Sequence, residues 1–190
     1  MTKSRDVILT VAPPEMNVRE ARDLYLSENG FSVDGYDEEE STLDFFGIPI
    51  VIRNSEGRKR GLPFHDLHHV ATGFGTNLVG ESQISAWEIR SGLRGYGVFV
   101  TLLVLQAFAL GLVLSPVRTL RAWRRARGGR TMFSDPLPLE RVLAMTVGEL
   151  RTYFGLPVEG IADGAPLRHG GASASPRPVL VHDGPPRDAE

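Results

Sequence analysis

The chain has a regular pattern of apolar and polar positions from residue 17 to the segment after Thr146. The segments at the two ends of this region have the spacing of amphipathic helices. Over residues 17–29, apolar side chains recur three and four positions apart, which places them on one helix face. Asn17 is a good N-cap for this helix, and Gly30 supplies the stop. Thr146 and Glu149 form a capping-box pattern ahead of a second helix. Both ends of the region are therefore predicted to be helical.

The middle of the chain predicts three further helices. One is expected over residues 65–72, directly after Pro63, and the next over residues 81–94. A glycine-rich link joins these two segments. The third covers residues 98–114, which carry no charged side chain and end just before a proline.

Together these patterns predict a mainly all-α fold, a single domain with one short β-hairpin near residues 43–52. We expect the domain to span residues 17–160, after an extended lead-in over residues 1–16. In residues 161–190, nine of thirty positions are Pro or Gly and no apolar period remains, which predicts a disordered tail. A chain of 190 residues is long enough for such a domain to bury a core.

The uncharged segment 98–114 leaves several interpretations open. Its 17 residues would form a helix of about 26 Å, just short of the roughly 30 Å hydrocarbon core of a bilayer. A buried helix that builds the core or lines a tunnel for a lipid tail is favoured over a membrane span. Six arginines follow between Arg118 and Arg130. Their face either contacts an anionic membrane surface or is a solvated helix end.

Charge and composition exclude several classes of protein. The chain has 21 basic and 23 acidic side chains and a formal net charge of −2, which argues against a nucleic-acid partner. It has no cysteine, so disulfides, iron–sulfur clusters and cysteine nucleophiles are excluded, and a metal ion would need His, Asp or Glu ligands. The first residues resemble neither a signal peptide nor a transit peptide, so we expect a cytoplasmic location.

The candidate chemistry lies in residues 65–88. His65 and His69 are four positions apart, so they share one helix face about 6 Å from each other and can reach one metal ion. Asp66 can serve as an oxygen ligand or orient a ring N–H. The glycine-rich link lets the chain fold back, so that Glu81 faces the histidines. These four residues predict one divalent metal ion, with zinc favoured over iron or manganese.

Two further side chains accompany this set. Glu88 is seven positions after Glu81 and shares its helix face, whereas His68 either flanks the site or faces solvent. A zincin-type hydrolase would need a longer acid at the position of Asp66. A diiron oxidase would need a second Glu-x-x-His motif, which the sequence lacks.

The string His65-Asp66-x-x-His69, followed after eleven residues by Glu81, resembles the HDxxH-x11-E signature of the coenzyme Q (ubiquinone) biosynthesis protein four family. The resemblance covers roughly residues 18–160. Its further matching positions are Gly80-Glu81, Glu88, Gly92-Leu93, Pro116-Val117-Arg118, Glu149-Leu150-Arg151 and Gly155-Leu156-Pro157.

The resemblance implies an all-helical fold, often a homodimer, with a divalent metal at His65, Asp66, His69 and Glu81, which would also be its catalytic residues. It implies an apolar cavity for an isoprenoid tail. The implied function is metal-dependent ring modification, by C1 oxidative decarboxylation or hydroxylation of a polyprenylated quinone precursor. The alternative is a non-catalytic lipid-binding scaffold with a structural metal, which organises other quinone-biosynthesis enzymes. Either protein would lie peripherally on an anionic membrane surface, at the inner face of the cell membrane.

Overall fold

The structure is a computed structural model that describes residues 11–45, 48–94 and 97–162. The described part is mainly helical, as the sequence predicts, and contains one two-stranded hairpin. In chain order the elements are α1 (Val18–Glu28), a 3-10 turn (Val33–Tyr36), β1 (Glu40–Phe45), β2 (Ile48–Arg53), α2 (Glu56–Thr72), α3 (Leu78–Ser91), α4 (Gly97–Leu114), α5 (Pro116–Arg125), α6 (Leu139–Leu143) and α7 (Val147–Phe154).

The predicted N-termini of α1 and α7 are confirmed. The side chain of Asn17 accepts a hydrogen bond from the backbone N–H of Arg19 at 3.0 Å. Thr146 and Glu149 form the full capping box at the start of α7. These contacts satisfy backbone donors that have no partner within the helix, which explains why the two helices begin where they do.

The helices that carry the candidate site begin earlier than the sequence predicts. α2 starts at Glu56, where the Oγ of Ser55 caps it, and it continues through Pro63, which is buried. α3 starts at Leu78, because the side chain of Asn77 accepts from the backbone N–H of Gly80 at 2.9 Å. It ends at residue 91 rather than 94.

The hairpin is present and slightly longer than predicted. β1 and β2 pair antiparallel, with Glu40 opposite Arg53. Asn54 ties the end of the hairpin to its beginning, since its amide donates to the Glu38 carbonyl at 2.9 Å and to the Ser41 Oγ at 2.7 Å. These hydrogen bonds fix Asn54, and with it the position at which the chain enters α2.

The core lies between α1, α2, α3 and α7. Its largest fully buried side chains include Trp87 of α3 and Phe154 of α7, whose rings lie 5.7 Å apart. α4 and α5 pack on α3. The two helices that contain the candidate site are therefore part of the core itself.

α4 is only partly covered, although a buried helix was the favoured prediction. α3 and α5 pack on one side of it. The opposite side carries exposed apolar residues spaced four, three and seven positions apart, which is one helix face. These residues are Val98, Leu102, Leu105 and Leu112, with Val113 beside them.

Among the residues that the structure describes, no helix combines the length and the apolar character needed to cross a membrane.

Both flanks of the predicted domain dock onto it. The guanidinium of Arg151 donates to the carbonyls of Ala71, Val158 and Ala12 at 2.7–2.9 Å. Ile161, which the sequence assigned to the tail, is buried, and its N–H donates to the Thr72 carbonyl at 3.1 Å. Burial of this apolar side chain moves the end of the domain beyond residue 160. Residues 1–10 of the predicted lead-in and 163–190 of the predicted tail lie outside the described residues.

Candidate metal centre

Two glycines let α3 return against α2. Gly73 ends α2 in the left-handed region, with φ +79°, which an L side chain rarely adopts. Gly80 lies on the first turn of α3, where a Cβ would overlap the backbone of Gly75. This close approach brings the next residue, Glu81, to the face of α2 that carries His65 and His69.

The structure brings three of the predicted site residues together. His65, His69 and Glu81 each offer one ligand atom, and these atoms lie within 4.8 Å of one another. The two Nε2 atoms are 3.2 Å apart. Each of them lies 3.5 Å from an oxygen of the Glu81 carboxylate. The predicted return of Glu81 to the histidine pair is therefore present.

The outer hydrogen bonds of the two imidazoles determine which nitrogen faces the centre. Nδ1 of His69 lies 2.9 Å from the Phe74 carbonyl, and Nδ1 of His65 lies 2.9 Å from the Oε1 of Glu88. A carbonyl and a carboxylate can only accept, so each Nδ1 carries the proton. In the neutral rings both Nε2 atoms then present lone pairs to each other.

This donor set fits a divalent cation. Two nitrogen ligands at 2.0–2.1 Å from a tetrahedral ion lie about 3.3–3.4 Å apart. The separation of 3.2 Å between the Nε2 atoms of His65 and His69 is close to that value. Two imidazoles and one carboxylate, with further positions open, suit zinc or another borderline metal. His65, His69 and Glu81 therefore form a candidate site for a divalent metal ion.

The charges of neighbouring side chains outweigh burial in setting the pKa values of His65 and Glu81. Burial opposes protonation of His65, but the Glu88 and Glu81 carboxylates hold its pKa well above the ordinary value. Burial likewise opposes ionisation of Glu81, but His69 and His65 hold its pKa well below the ordinary value. The side chain of Glu81 is 36% exposed and that of His65 is 22% exposed, so the centre is open to solvent on this side.

Asp66 lies beside the group of three ligands rather than within it. Its Oδ2 accepts a hydrogen bond from the Tyr36 hydroxyl at 2.8 Å, and the residue is buried. Burial raises the pKa of Asp66, although His65 and His69 act in the opposite direction. As the neighbour of His65 along the helix, Asp66 projects about 100° around its axis, toward the 3-10 turn that carries Tyr36.

Three features of the site were not predicted from the sequence. Tyr25 of α1 stacks on His69, with ring centroids 5.6 Å apart, and burial raises its pKa. The Tyr36 hydroxyl donates a hydrogen bond to Asp66, and the Phe74 carbonyl keeps the proton of His69 on Nδ1. Tyr25 and Tyr36 reach the site through tertiary packing, so no local motif marks them. The Phe74 carbonyl is local, since it lies five residues after His69 in the turn that follows Gly73. Glu88, in contrast, was signalled by its seven-residue spacing from Glu81.

His68 faces the core rather than solvent or the metal centre. It is fully buried, and its Nδ1 lies 2.7 Å from the Oε1 of Glu88. Burial lowers the pKa of His68, so its ring is neutral more readily than that of His65. Of the two alternatives that the sequence left open, His68 does not face solvent. It flanks the site through its contact with Glu88.

Comparison of the chain with protein-family models, with curated proteins and with solved structures gave no match.

Proposed function

We propose that this chain is a metal-dependent protein of ubiquinone biosynthesis that converts the C1 carboxyl position of a polyprenylated hydroxybenzoate into a hydroxyl. One observation carries the proposal: the two histidines and the distal glutamate of the HDxxH-x11-E pattern lie within ligand distance of one ion. The pattern alone could arise by chance on any helix pair. Its convergence in three dimensions supports a common role for His65, His69 and Glu81.

The proposed reaction balances with dioxygen as the oxidant. The bond between ring C1 and the carboxyl carbon breaks, and the carboxyl carbon leaves as CO2. One oxygen atom of dioxygen forms the new ring hydroxyl. The other leaves as water, after an external reductant supplies two electrons and two protons are taken up.

The residues of the centre have distinct roles in this proposal. His65, His69 and Glu81 hold the ion, which when bound supplies Lewis acidity toward a carboxylate or a phenol. Asp66 is a buried carboxyl group with a raised pKa, held by the hydroxyl of Tyr36. It is therefore suited to take up and return a proton beside the ligands. This retains Asp66 as a catalytic candidate without making it a metal ligand.

The test is a turnover assay with a C1-carboxylated, prenylated phenol that is labelled at the carboxyl carbon. Protein is loaded separately with zinc, manganese and iron(II), and at least one of these forms should release labelled CO2 in air with a two-electron reductant. Glu81→Gln should lower the rate by at least about 100-fold, since loss of a ligand exceeds the 10–100-fold effect typical of outer hydrogen-bond partners. Glu20→Gln makes the same chemical change on the exposed face of α1 and should leave the rate unchanged. Metal-loaded protein that releases no CO2 with any of the three ions would refute the catalytic proposal.

The exposed apolar face of α4 favours a second candidate, a lipid-binding scaffold with a structural metal that organises quinone-biosynthesis enzymes. A scaffold would bind a prenylated phenol without turning it over, and Glu81→Gln would leave that binding intact once the protein is folded. Equilibrium binding and CO2 release, measured on the same preparations, separate the two functions.

Both candidates place the protein on the inner face of the cell membrane, and the distribution of charge supports an anionic lipid surface as the partner. Between Glu88 and Asp135 the chain has eight arginines and no acid. The rest, with thirteen basic and 23 acidic side chains, carries a net charge of −10. The basic segment contains both the exposed apolar residues of α4 and the exposed arginines of α5, so it offers apolar burial and charge attraction to an anionic lipid surface.

Vesicle sedimentation tests this surface. Binding to vesicles with a phosphatidylglycerol fraction should exceed binding to pure phosphatidylcholine, and salt should weaken it. The double variant Arg118→Glu, Arg124→Glu should abolish binding, whereas the charge-matched control Arg60→Glu, Arg141→Glu should retain it. All four positions are exposed. If the wild-type chain does not bind anionic vesicles and elutes as a dimer in size-exclusion chromatography, the partner of the apolar face of α4 is instead a second copy of the chain.

A further inference from the structure

His68 is a buried histidine whose two ring nitrogens both have partners. Its Nδ1 lies 2.7 Å from the Oε1 of Glu88, and its Nε2 accepts a hydrogen bond from the backbone N–H of Met132 at 3.1 Å. A donor on one side and a carboxylate on the other leave only the tautomer with the proton on Nδ1. The ring is also enclosed by the side chains of Trp87, Phe133 and Phe154, with centroids 5.0–5.2 Å away.

Glu88 connects this fixed histidine to the candidate metal ligand. The same Oε1 atom that accepts from His68 also lies 2.9 Å from the Nδ1 of His65. Glu88 is fully buried, whereas the side chain of His65 is 22% exposed. Packing therefore holds Glu88 more firmly than it holds His65. The position of the oxygen is set from the core side, and His65 adopts the orientation that reaches it.

We infer that Glu88, held in place by His68 and the Met132 backbone, is a positioning residue for the metal ligand His65. Its carboxylate keeps the proton of His65 on Nδ1 and directs the Nε2 lone pair at the metal position. A carboxylate behind a histidine ligand also increases the donor strength of the ring, and loss of such a partner costs 10–100-fold in metal affinity. The inference rests on the proposed metal site and adds to it the residue that prepares one ligand.

A purely structural role would give a different pattern. Glu88→Gln keeps the size of the side chain and an acceptor oxygen, so the core around His68 stays filled. It removes the negative charge behind His65. A structural carboxylate would then affect unfolding of the metal-free chain, whereas a positioning carboxylate affects zinc affinity.

The experiment compares wild type, Glu88→Gln and the exposed control Glu20→Gln. Zinc affinity, measured by competition with a chromophoric chelator, should fall by 10–100-fold in Glu88→Gln and stay unchanged in the control. The visible spectrum of the cobalt(II) form should shift only in Glu88→Gln. Thermal unfolding of the metal-free proteins, run in parallel, accounts for any change in the fold. Equal zinc affinity in wild type and Glu88→Gln would overturn the inference.

Nitrogen-15 spectra of the imidazole rings provide a readout that needs neither metal nor a variant. In the metal-free wild type at pH 8–9, both His68 and the neutral form of His65 should carry their proton on Nδ1. A proton on Nε2 of either ring would overturn the inference even if Glu88→Gln failed to fold. If wild type binds no divalent ion, the proposed function fails, but the ring spectra still decide whether Glu88 orients His65.

Discussion

The Nε2 atoms of His65 and His69 face each other at 3.2 Å, one turn apart on α2. With both protons held on Nδ1, two lone pairs meet at this distance, which is unfavourable unless a cation or a proton lies between them. Glu81 adds negative charge to the same point. The arrangement therefore attracts a positive species, and protons and metal ions compete for it.

This competition predicts the pH dependence of metal binding. Below the raised pKa of His65 its Nε2 is protonated, and zinc must displace that proton. Zinc affinity should therefore fall by about tenfold for each pH unit below that pKa and level off above it. Isothermal titration calorimetry in buffers of different ionisation enthalpy measures the protons released. Affinity that is constant between pH 6 and 9 would contradict the assignment of His65 as a ligand.

The sequence predicted the parts of the site that depend on local spacing. His65 and His69 share a face because an α-helix repeats every 3.6 residues, and a glycine-rich link made the return of Glu81 expected. The position of Asp66 was not predictable, because its partner Tyr36 lies on a 3-10 turn 30 residues earlier. His68 was ambiguous for the same reason. Its burial depends on rings contributed by α3 and α7.

The fold was predictable to a similar degree. Caps such as Asn17 and Thr146 are local, and the sequence predicts them correctly. The boundary that it predicts near Pro63 is wrong, because Pro63 lies inside α2. A proline within a helix removes one backbone donor, and its ring crowds the carbonyl four residues earlier, so the local pattern predicts a boundary there. In the structure Pro63 is buried, and the packing of α2 outweighs these costs.

Tyr36→Phe should destabilise the protein and leave zinc affinity within about threefold of wild type. The variant removes the hydroxyl that donates to the buried Asp66 carboxylate at 2.8 Å. A hydrogen bond to a charged group contributes about 1.5–3 kcal/mol, so we expect a loss of that size in the free energy of unfolding. Urea denaturation and the chelator competition measure the two quantities. A large fall in zinc affinity would instead indicate that Asp66 coordinates the ion.

Gly80→Ala should displace Glu81 from the metal centre, although Gly80 itself is not a ligand. The added Cβ would overlap the backbone of Gly75, so α3 must shift away from the link. Overpacking of this kind costs about 1–3 kcal/mol. Because Glu81 follows directly, zinc affinity should fall as well. Gly35→Ala is a matched control, since a Cβ there would contact nothing within 4 Å; it should change neither the melting temperature nor zinc binding.

Arg151→Met should destabilise the fold by at least about 3 kcal/mol. The fully buried guanidinium donates three hydrogen bonds to carbonyls from separate segments, and its loss leaves these acceptors without that partner. Arg151→Lys should not restore stability, because an ammonium group cannot reproduce the planar fork. Arg141→Met, at an exposed position of α6, serves as the control. A loss below 1 kcal/mol would show that solvent replaces the three bonds.

Truncation should show a sharp boundary between residues 160 and 163. A chain ending at residue 162 keeps the buried Ile161 side chain and the hydrogen bonds that Ile161 and Ala162 donate to the Thr72 carbonyl. A chain ending at residue 160 loses both, together with the bond from Arg125 to the Ile161 carbonyl. Burial of one isoleucine contributes about 1.5–3 kcal/mol, so the shorter chain should unfold at clearly lower temperature. The chain ending at 162 should match the full chain within about 0.5 kcal/mol and bind zinc equally, because the composition of residues 163–190 predicts a tail that buries little apolar surface. If the chain ending at residue 160 is as stable as the full chain, the boundary is refuted. A loss of stability in the chain ending at residue 162 would show that the tail docks.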